Sequence, residues 1–339
     1  MGYENRANLP LPIALFLAAD DYNHDPDVVS VTKFIKPVRE LILTDRVQES
    51  NVIVKDPDVL DMYKSRLGSA THARIESLWL NEEVRNRALE ALGVPPKSIA
   101  KIKVNPEKIN KGDIPAFFEK TGFKVVDDVE FRGTADFIFN YRLGDFKQTS
   151  TFSYKDKGKE YKYMLQGSIY RWIMPDLIKE DSMHIVEMYL DWVRFKSIQD
   201  PVNYPPEAIV VKEIPLMSIK ETDRYIKQKI KLIDELYEAP DDQIPECNDM
   251  ELWRKPPVFK YYKNPDKRDR SNGNFDNYAD ALAKKHASGD VGIIVEVKSK
   301  VSACKFCAAM PVCGQAARYA RSGAVSYTHL RAHETPEHL

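Results

Sequence analysis

Charged residues stand in this chain where a buried strand should hold none. The stretch GTADFIFNYRLGDFKQTS, residues 133–150, is rich in aromatic and β-branched residues, yet it carries Asp136, then Asp145 and Lys147. An unpaired charge in a buried strand is costly. A metal ion resolves the conflict, because carboxylate oxygens are natural ligands of a hard divalent cation.

The cysteines point to metal in a different way. None precedes Cys247, while Cys304, Cys307 and Cys313 fall within ten residues. A disulfide framework scatters its cysteines, whereas clustering around a C-x-x-C pair favours a metal or iron–sulfur site. Composition sets the frame around both groups. The 339 residues, 43% of them hydrophobic, suffice for two domains or one large domain with appendages. Lys plus Arg number 50 against 51 Asp plus Glu, so a nucleic-acid surface has to be a local basic patch. The apolar stretch at residues 9–20 is broken by proline and falls short of the roughly 20 residues of a membrane span. The expectation is a cytosolic protein with no export signal. Residues 325–339 hold three of the seven histidines and no hydrophobic period, and read as an adapter-derived artefact. His329 and His333 have the spacing of a zinc pair there, but no supporting fold.

The elements that must position these side chains alternate in type. Residues 29–48 read as a short strand, then a helix from Pro37 with Arg39 and Arg46 on a solvated face. Residues 68–93 form the clearest helix, ended by Gly93, with His72 and Glu76 one turn apart on one face. Residues 123–131 read as a strand, followed by the opening stretch as a hairpin in which Asp145 and Lys147 share a face. A hairpin centred on Arg142 puts Asp136 opposite Gln148, about 10 Å along the strand from Asp145, so joining the two carboxylates needs a bulge or an asymmetric turn. A lysine-rich loop at 154–160 leads to a helix bearing Gln166 and Tyr170 one turn apart. Residues 183–197 read as a long strand and 219–239 as an amphipathic helix. This order indicates a mixed α/β core, with no internal repeat.

Taken together, Gly133-Thr-Ala-Asp136, Asp145-Phe-Lys147, Gln166-x-x-x-Tyr170 and His72 on a preceding helix resemble the RecB-type branch of the PD-(D/E)xK nucleases, most of all its phage-encoded exonuclease-like members. The resemblance covers roughly residues 68–173 by motif. It implies a restriction-endonuclease-like core, a mixed sheet flanked by helices, at residues 121–240. A mostly helical region at 1–120 would contribute His72, and a cysteine-cluster region would follow at 241–324. It further implies a Mg²⁺- or Mn²⁺-dependent deoxyribonuclease acting in phage-type recombination or repair. Asp136 and Asp145 would be metal ligands, joined by the backbone carbonyl of Phe146 and by His72, with Glu76 supporting His72. Lys147 would orient the attacking water or stabilise transition-state charge, and Gln166 and Tyr170 would position Lys147 or the DNA backbone. DNA is the implied partner, along with a phage recombinase or single-strand-binding protein, and no membrane.

Cys304-x-x-Cys307-x5-Cys313 resembles the C-terminal cluster of RecB-type nucleases that carry a [4Fe–4S] centre, with Cys247 as fourth ligand. In the best-known pattern the first cysteine precedes the nuclease core, and here it follows it, which leaves Zn²⁺ open. The centre would pin residues 247–313 back against the core. Glu296-Val-Lys298 also spells the second half of the nuclease motif, but it lacks the upstream Gly-x-x-Asp and the downstream Gln-x-x-x-Tyr. Two other classes compete with the nuclease: a catalytically idle DNA-binding or scaffold protein that keeps the fold, and a zinc-ribbon RNA-binding module. Intact Asp136, Asp145 and Lys147 argue against the first, and sparse aromatic and basic residues around the cysteines argue against the second.

Overall fold

A computed structural model describes residues 2–19, 28–49, 56–155, 158–254 and 256–325. The tail with His329 and His333 lies outside the described residues. The chain forms two compact units, Met1–Ile35 with Ile53–Ile230, and Lys36–Val52 with Lys231–Leu339. Among the described residues no helix is long and apolar enough to cross a membrane.

The first unit is mixed α/β. Its sheet contains β1 (Val28–Ser30), β2 (Ile102–Val104), β3 (Ile114–Val126), β4 (Val129–Phe139), β5 (Arg142–Thr149), β6 (Ser182–Tyr189) and β7 (Ile209–Pro215). The strands run in the order β2-β3-β4-β5-β6-β7, with β1 parallel to β4. The sheet thus draws strands from both sides of residue 120.

Two tight turns set its register. Asp127 and Asp128 join β3 to β4 at φ 47 and 61, and Asn140 and Tyr141 join β4 to β5 at φ 48 and 67. Paired positive φ values define the two-residue turn that matches strand twist, and Asn and Asp adopt it at low cost. Residues 123–131 are therefore the tip of a hairpin rather than one strand. The β4–β5 turn also lies earlier than Arg142, so Phe139 pairs with Arg142 and Phe137 with Gly144. One further step brings Asp136 level with Asp145, and no bulge is needed in β5.

Helices cover the sheet. On one face Ile75, Trp79 and Leu89 pack against Ile102, Ala116 and Phe118, with Trp79 stacked on Phe118 at 5.0 Å. The segment expected as one helix at 68–93 is two, because Asn81 ends the first and caps the second by accepting from Val84 N. The helix Gly158–Ile173 buries Leu165, Ile169 and Trp172. The strand expected over 183–197 stops at Tyr189, and Arg194–Gln199 is helical. The amphipathic helix spans Ile219–Leu236, close to expectation.

The second unit holds a small antiparallel sheet of β8 (Val258–Tyr262), β9 (Gly273–Phe275) and β10 (Ile293–Val297), in the order β10-β8-β9. The helix Tyr278–Ala287 connects β9 to β10. Elsewhere in this unit Ile42 and Leu43 of helix Val38–Glu49 pack with Ile244 and Ala309. Arg39 and Arg46 are not on a solvated face. Arg39 is buried and donates to the carbonyls of Asp241 and Ile244, while Arg46 donates to those of Tyr237 and Ala239. Spacing of i, i+3, i+4 and i+7 puts Arg39 and Arg46 on the face of Ile42 and Leu43, and the chain returning after residue 236 supplies the acceptors for both.

Gly144 and Gly68 make contrasting tests of this packing. A Cβ on Gly144 would stand 1.8 Å from Cζ of Phe137, whereas one on Gly68 meets nothing within 4 Å. Gly144→Ala should cost about 1–3 kcal/mol in equilibrium denaturation, and Gly68→Ala, inside a helix, should gain about 0.5–1 kcal/mol.

Candidate metal centre

Beyond the Phe137–Gly144 pair, β4 and β5 part, and the acidic residues sit at the fork. There Asp136 Oδ2 accepts a hydrogen bond from Phe146 N at 2.8 Å. Helix Tyr63–Leu80 brings in His72, whose Nε2 lies 3.2 Å from the Phe146 carbonyl oxygen and whose Nδ1 lies 3.6 Å from Asp136 Oδ2. A carbonyl only accepts, so in this contact Nε2 carries the proton. Nδ1 then faces the carboxylate oxygens of Asp136 and Glu119, an arrangement that accommodates a cation between them or a proton on Nδ1. The Phe146 carbonyl keeps a second lone pair.

Sequence reasoning missed a third member, Glu119. His72, Glu119 and Asp136 each offer a ligand atom, all within 4.8 Å of one another. Glu119 sits in β3 at φ +47, and the β3–β4 ladder runs Phe118–Phe137 then Lys120–Ala135, skipping the Glu119–Asp136 rung. A left-handed conformation inside a strand is uncommon for a residue other than glycine. The usable signal was an acid in the apolar run IPAFF, two strands from Asp145 in the sheet.

On β5, Asp145 is buried and its Oδ2 lies 2.6 Å from Lys147 Nζ. Gln166 Nε2 reaches Asp145 Oδ1 at 3.4 Å and donates to the Tyr170 hydroxyl oxygen at 3.1 Å. Gln166 and Tyr170 therefore brace Asp145 rather than Lys147. The ring of Tyr170 also occupies the space over Gly133, where a Cβ would stand 2.7 Å from it, which ties the Gly-x-x-Asp motif to the Gln-x-x-x-Tyr helix. No hydrogen bond joins Glu76 to His72 among the described residues, although the charge of Glu76 acts on Glu119.

Crowded acids resist ionisation. Burial, then repulsion from Asp136, Glu76 and Asp145, pushes Glu119 up to about 7. Burial raises Asp145 to about 6 against the opposing pull of Lys147. The donor set of carboxylates, imidazole and carbonyl suits Mg²⁺ or Mn²⁺.

The next strand adds a buried acid that sequence reasoning also missed. Glu187 pairs with Lys147 in the β5–β6 register, lies 3.0 Å from Lys212 Nζ and accepts from the Tyr189 hydroxyl. Alternation in MHIVEMY could have placed it inward.

In the second unit, Cys247, Cys304, Cys307 and Cys313 line one cavity of about 30 Å³, and no disulfide joins them. Burial pushes the Cys247 thiol up to about 12 and Cys307 to about 11. Arg39 Nε donates to Cys313 Sγ at 3.2 Å. Among the described residues no three cysteine sulfurs lie within 4.8 Å of one another. The Glu296-Val-Lys298 element lies in and just beyond β10 with both charged residues exposed, in a different sheet from Asp136.

No family model matches the chain, and no curated protein matches it. Among solved structures, one described as the crystal structure of SSO0001 is similar at 16% identity and a TM-score of 0.35, covering 62% of this chain and 79% of that one.

A pH test follows from the acids. A carboxyl whose folded pKa is raised binds more protons folded than unfolded between the two values, so stability falls as pH rises through that window. For metal-free protein the window runs from the ordinary carboxylate range to about 6 for Asp145 and about 7 for Glu119. Melting temperature should drop from pH 5 to pH 7.5 on this account. Mn²⁺ should restore more stability at the higher pH, and Glu119→Gln should flatten both trends, weakly where solvent screens the partly exposed side chain.

Proposed function

We propose that the chain is a metal-dependent deoxyribonuclease of the PD-(D/E)xK type, RecB-like, acting on DNA ends in phage-type recombination or repair. The observation that carries this reading is the fork between β4 and β5, where Asp136, Asp145, Lys147 and His72 converge from separate elements. Asp136, Asp145, His72 and the Phe146 carbonyl would hold Mg²⁺ or Mn²⁺, with Glu119 as a further carboxylate. When bound, such an ion supplies a hydroxide-like nucleophile near neutral pH and neutralises charge on a phosphodiester.

The protein's own groups do the rest. Lys147 is held toward the site by Asp145, so its ammonium can hydrogen-bond an attacking water or a developing negative oxygen. Gln166, backed by Tyr170, fixes the Asp145 carboxylate. His72 is oriented through Nε2 so that Nδ1 faces the acids. DNA is the partner on this reading, with a recombinase or single-strand-binding protein as a further one.

The cysteine cavity supports a structural centre, a [4Fe–4S] cluster first and Zn²⁺ second. At about 2.3 Å per Zn–S bond, a tetrahedral zinc site draws its four sulfurs to about 3.8 Å apart. Arg39, donating to Cys313, offsets thiolate charge.

Incubation of purified protein with end-labelled linear and circular DNA in Mg²⁺ or Mn²⁺ tests the reading. Asp145→Ala and Lys147→Ala should each lower cleavage about a hundredfold or more while DNA binding in Ca²⁺ survives. His72→Ala should alter the Mg²⁺ or Mn²⁺ requirement, and Lys298→Ala should change nothing. Loss of cleavage in Lys298→Ala alone would overturn the choice of motif.

Anaerobic purification with metal, sulfide and visible-absorption analysis identifies the second centre. Iron with sulfide supports the cluster, one zinc supports the alternative, and stable metal-free protein removes both. Replacing any one cysteine should lower the melting temperature more than it changes cleavage.

A further inference from the structure

The module between Cys247 and Cys304 plays no part in the proposed chemistry, yet it gathers charge at one end. β8 runs into an exposed loop carrying Lys263, Lys267, Arg268 and Arg270 before β9. The last turn of helix Tyr278–Ala287 carries Lys284 and Lys285. These two segments meet, because that helix leads into β10, whose first residue, Ile293, is the register partner of Tyr262 at the end of β8. The close approach of Gly292 to Tyr262 O, and the hydrogen bond from the Tyr261 hydroxyl to Val291 O, fix the same juncture.

No ion pair engages any of these six cations among the described residues. His286 is held by Asp290 at 2.5 Å. Asp276 and Asp280 belong to the opposite end, at the start of the helix, whereas Asp266 and Asp269 lie in the loop itself and offset part of its charge. The helix dipole explains cations in its last turn, but it does not explain four more on a neighbouring loop. In a chain of net charge −1, six cations against the two acids of the loop make a local basic excess of the kind that binds polyanions.

We infer that this pole is a second DNA-binding site, which holds the phosphate backbone without reading sequence. The inference rests on the nuclease reading for the identity of its partner. Exposed Lys and Arg side chains on a loop suit backbone phosphates, which need charge rather than a shaped pocket. A second contact on the same chain raises apparent affinity for long DNA while leaving the reacting groups untouched.

The test compares full-length wild type with two triple variants in Ca²⁺, by anisotropy of a labelled linear duplex across a salt series. In Lys267→Gln/Arg268→Gln/Arg270→Gln the affinity should fall about tenfold or more near physiological salt. The slope of log affinity against log salt should shrink by about 1 for each phosphate that is no longer neutralised. In Lys101→Gln/Lys108→Gln/Lys111→Gln, which removes equal charge from exposed positions of the first unit, both should hold. Hydrolysis of bis(p-nitrophenyl) phosphate in Mn²⁺, a diester with no backbone to extend, should be the same in all three.

An unchanged affinity and slope in the first variant overturns the inference, as does an equal loss in both, which would make it a net-charge effect. Wild type that binds DNA through this loop but cleaves neither substrate keeps the binding site and removes the nuclease. Cleavage with binding indifferent to the loop does the reverse, and wild type that binds no DNA removes both.

Discussion

The first unit is organised by a hydrogen bond that a sheet would ordinarily make from backbone to backbone. Beyond Phe137 and Gly144, β4 and β5 separate, and the Asp136 carboxylate takes the Phe146 N–H that a continuing ladder would have used. A donor drawn away from water must find an acceptor, so the fork depends on a side-chain oxygen at that place. The same acid draws in His72, and its level on the strand is set by the Asn140–Tyr141 turn. Backbone satisfaction and site geometry therefore depend on one side chain, and replacing Asp136 would disturb both.

Much of this was legible from residue types. Alternation placed Asp145 and Lys147 on one face, and helical spacing put Gln166 beside Tyr170. What the pattern could not give was register. Spacing alone allowed a hairpin centred on Arg142, whereas the left-handed tolerance of Asn140 moved the turn and aligned Asp136 with Asp145. Glu119 escaped notice because its role comes from pairing across strands, and its φ is invisible in a string of letters. Arg39 was misplaced for a related reason: its acceptors lie some two hundred residues further along the chain, where no local periodicity reaches.

The two candidate centres also differ in how the protein meets their electrostatic demands. The acids at the fork are crowded and only partly offset by Lys147, so the metal-free state carries a repulsive charge that a cation relieves. The Cys247 and Cys307 thiols instead are held neutral by burial, and a metal would have to displace their protons on entry. Loading of the first site thus relieves existing repulsion, while loading of the second is tied to proton release and to the ordering of the chain around it.

The small sheet of the second unit has one further implication, for how the chain tolerates change. Its first and last strands are partners, and Val258 at the entrance pairs with Val297 at the exit. Entry and exit are therefore about one strand spacing apart, roughly 5 Å. A segment whose ends nearly touch can lengthen, shorten or be exchanged for a tight turn while the chain on either side keeps its path, because loop closure costs little more for a long insert than for a short one. Cys247 and Cys304, which flank it, can hold their places whatever lies between them. The module thus has the geometry of a detachable cassette set into a fixed frame of thiols.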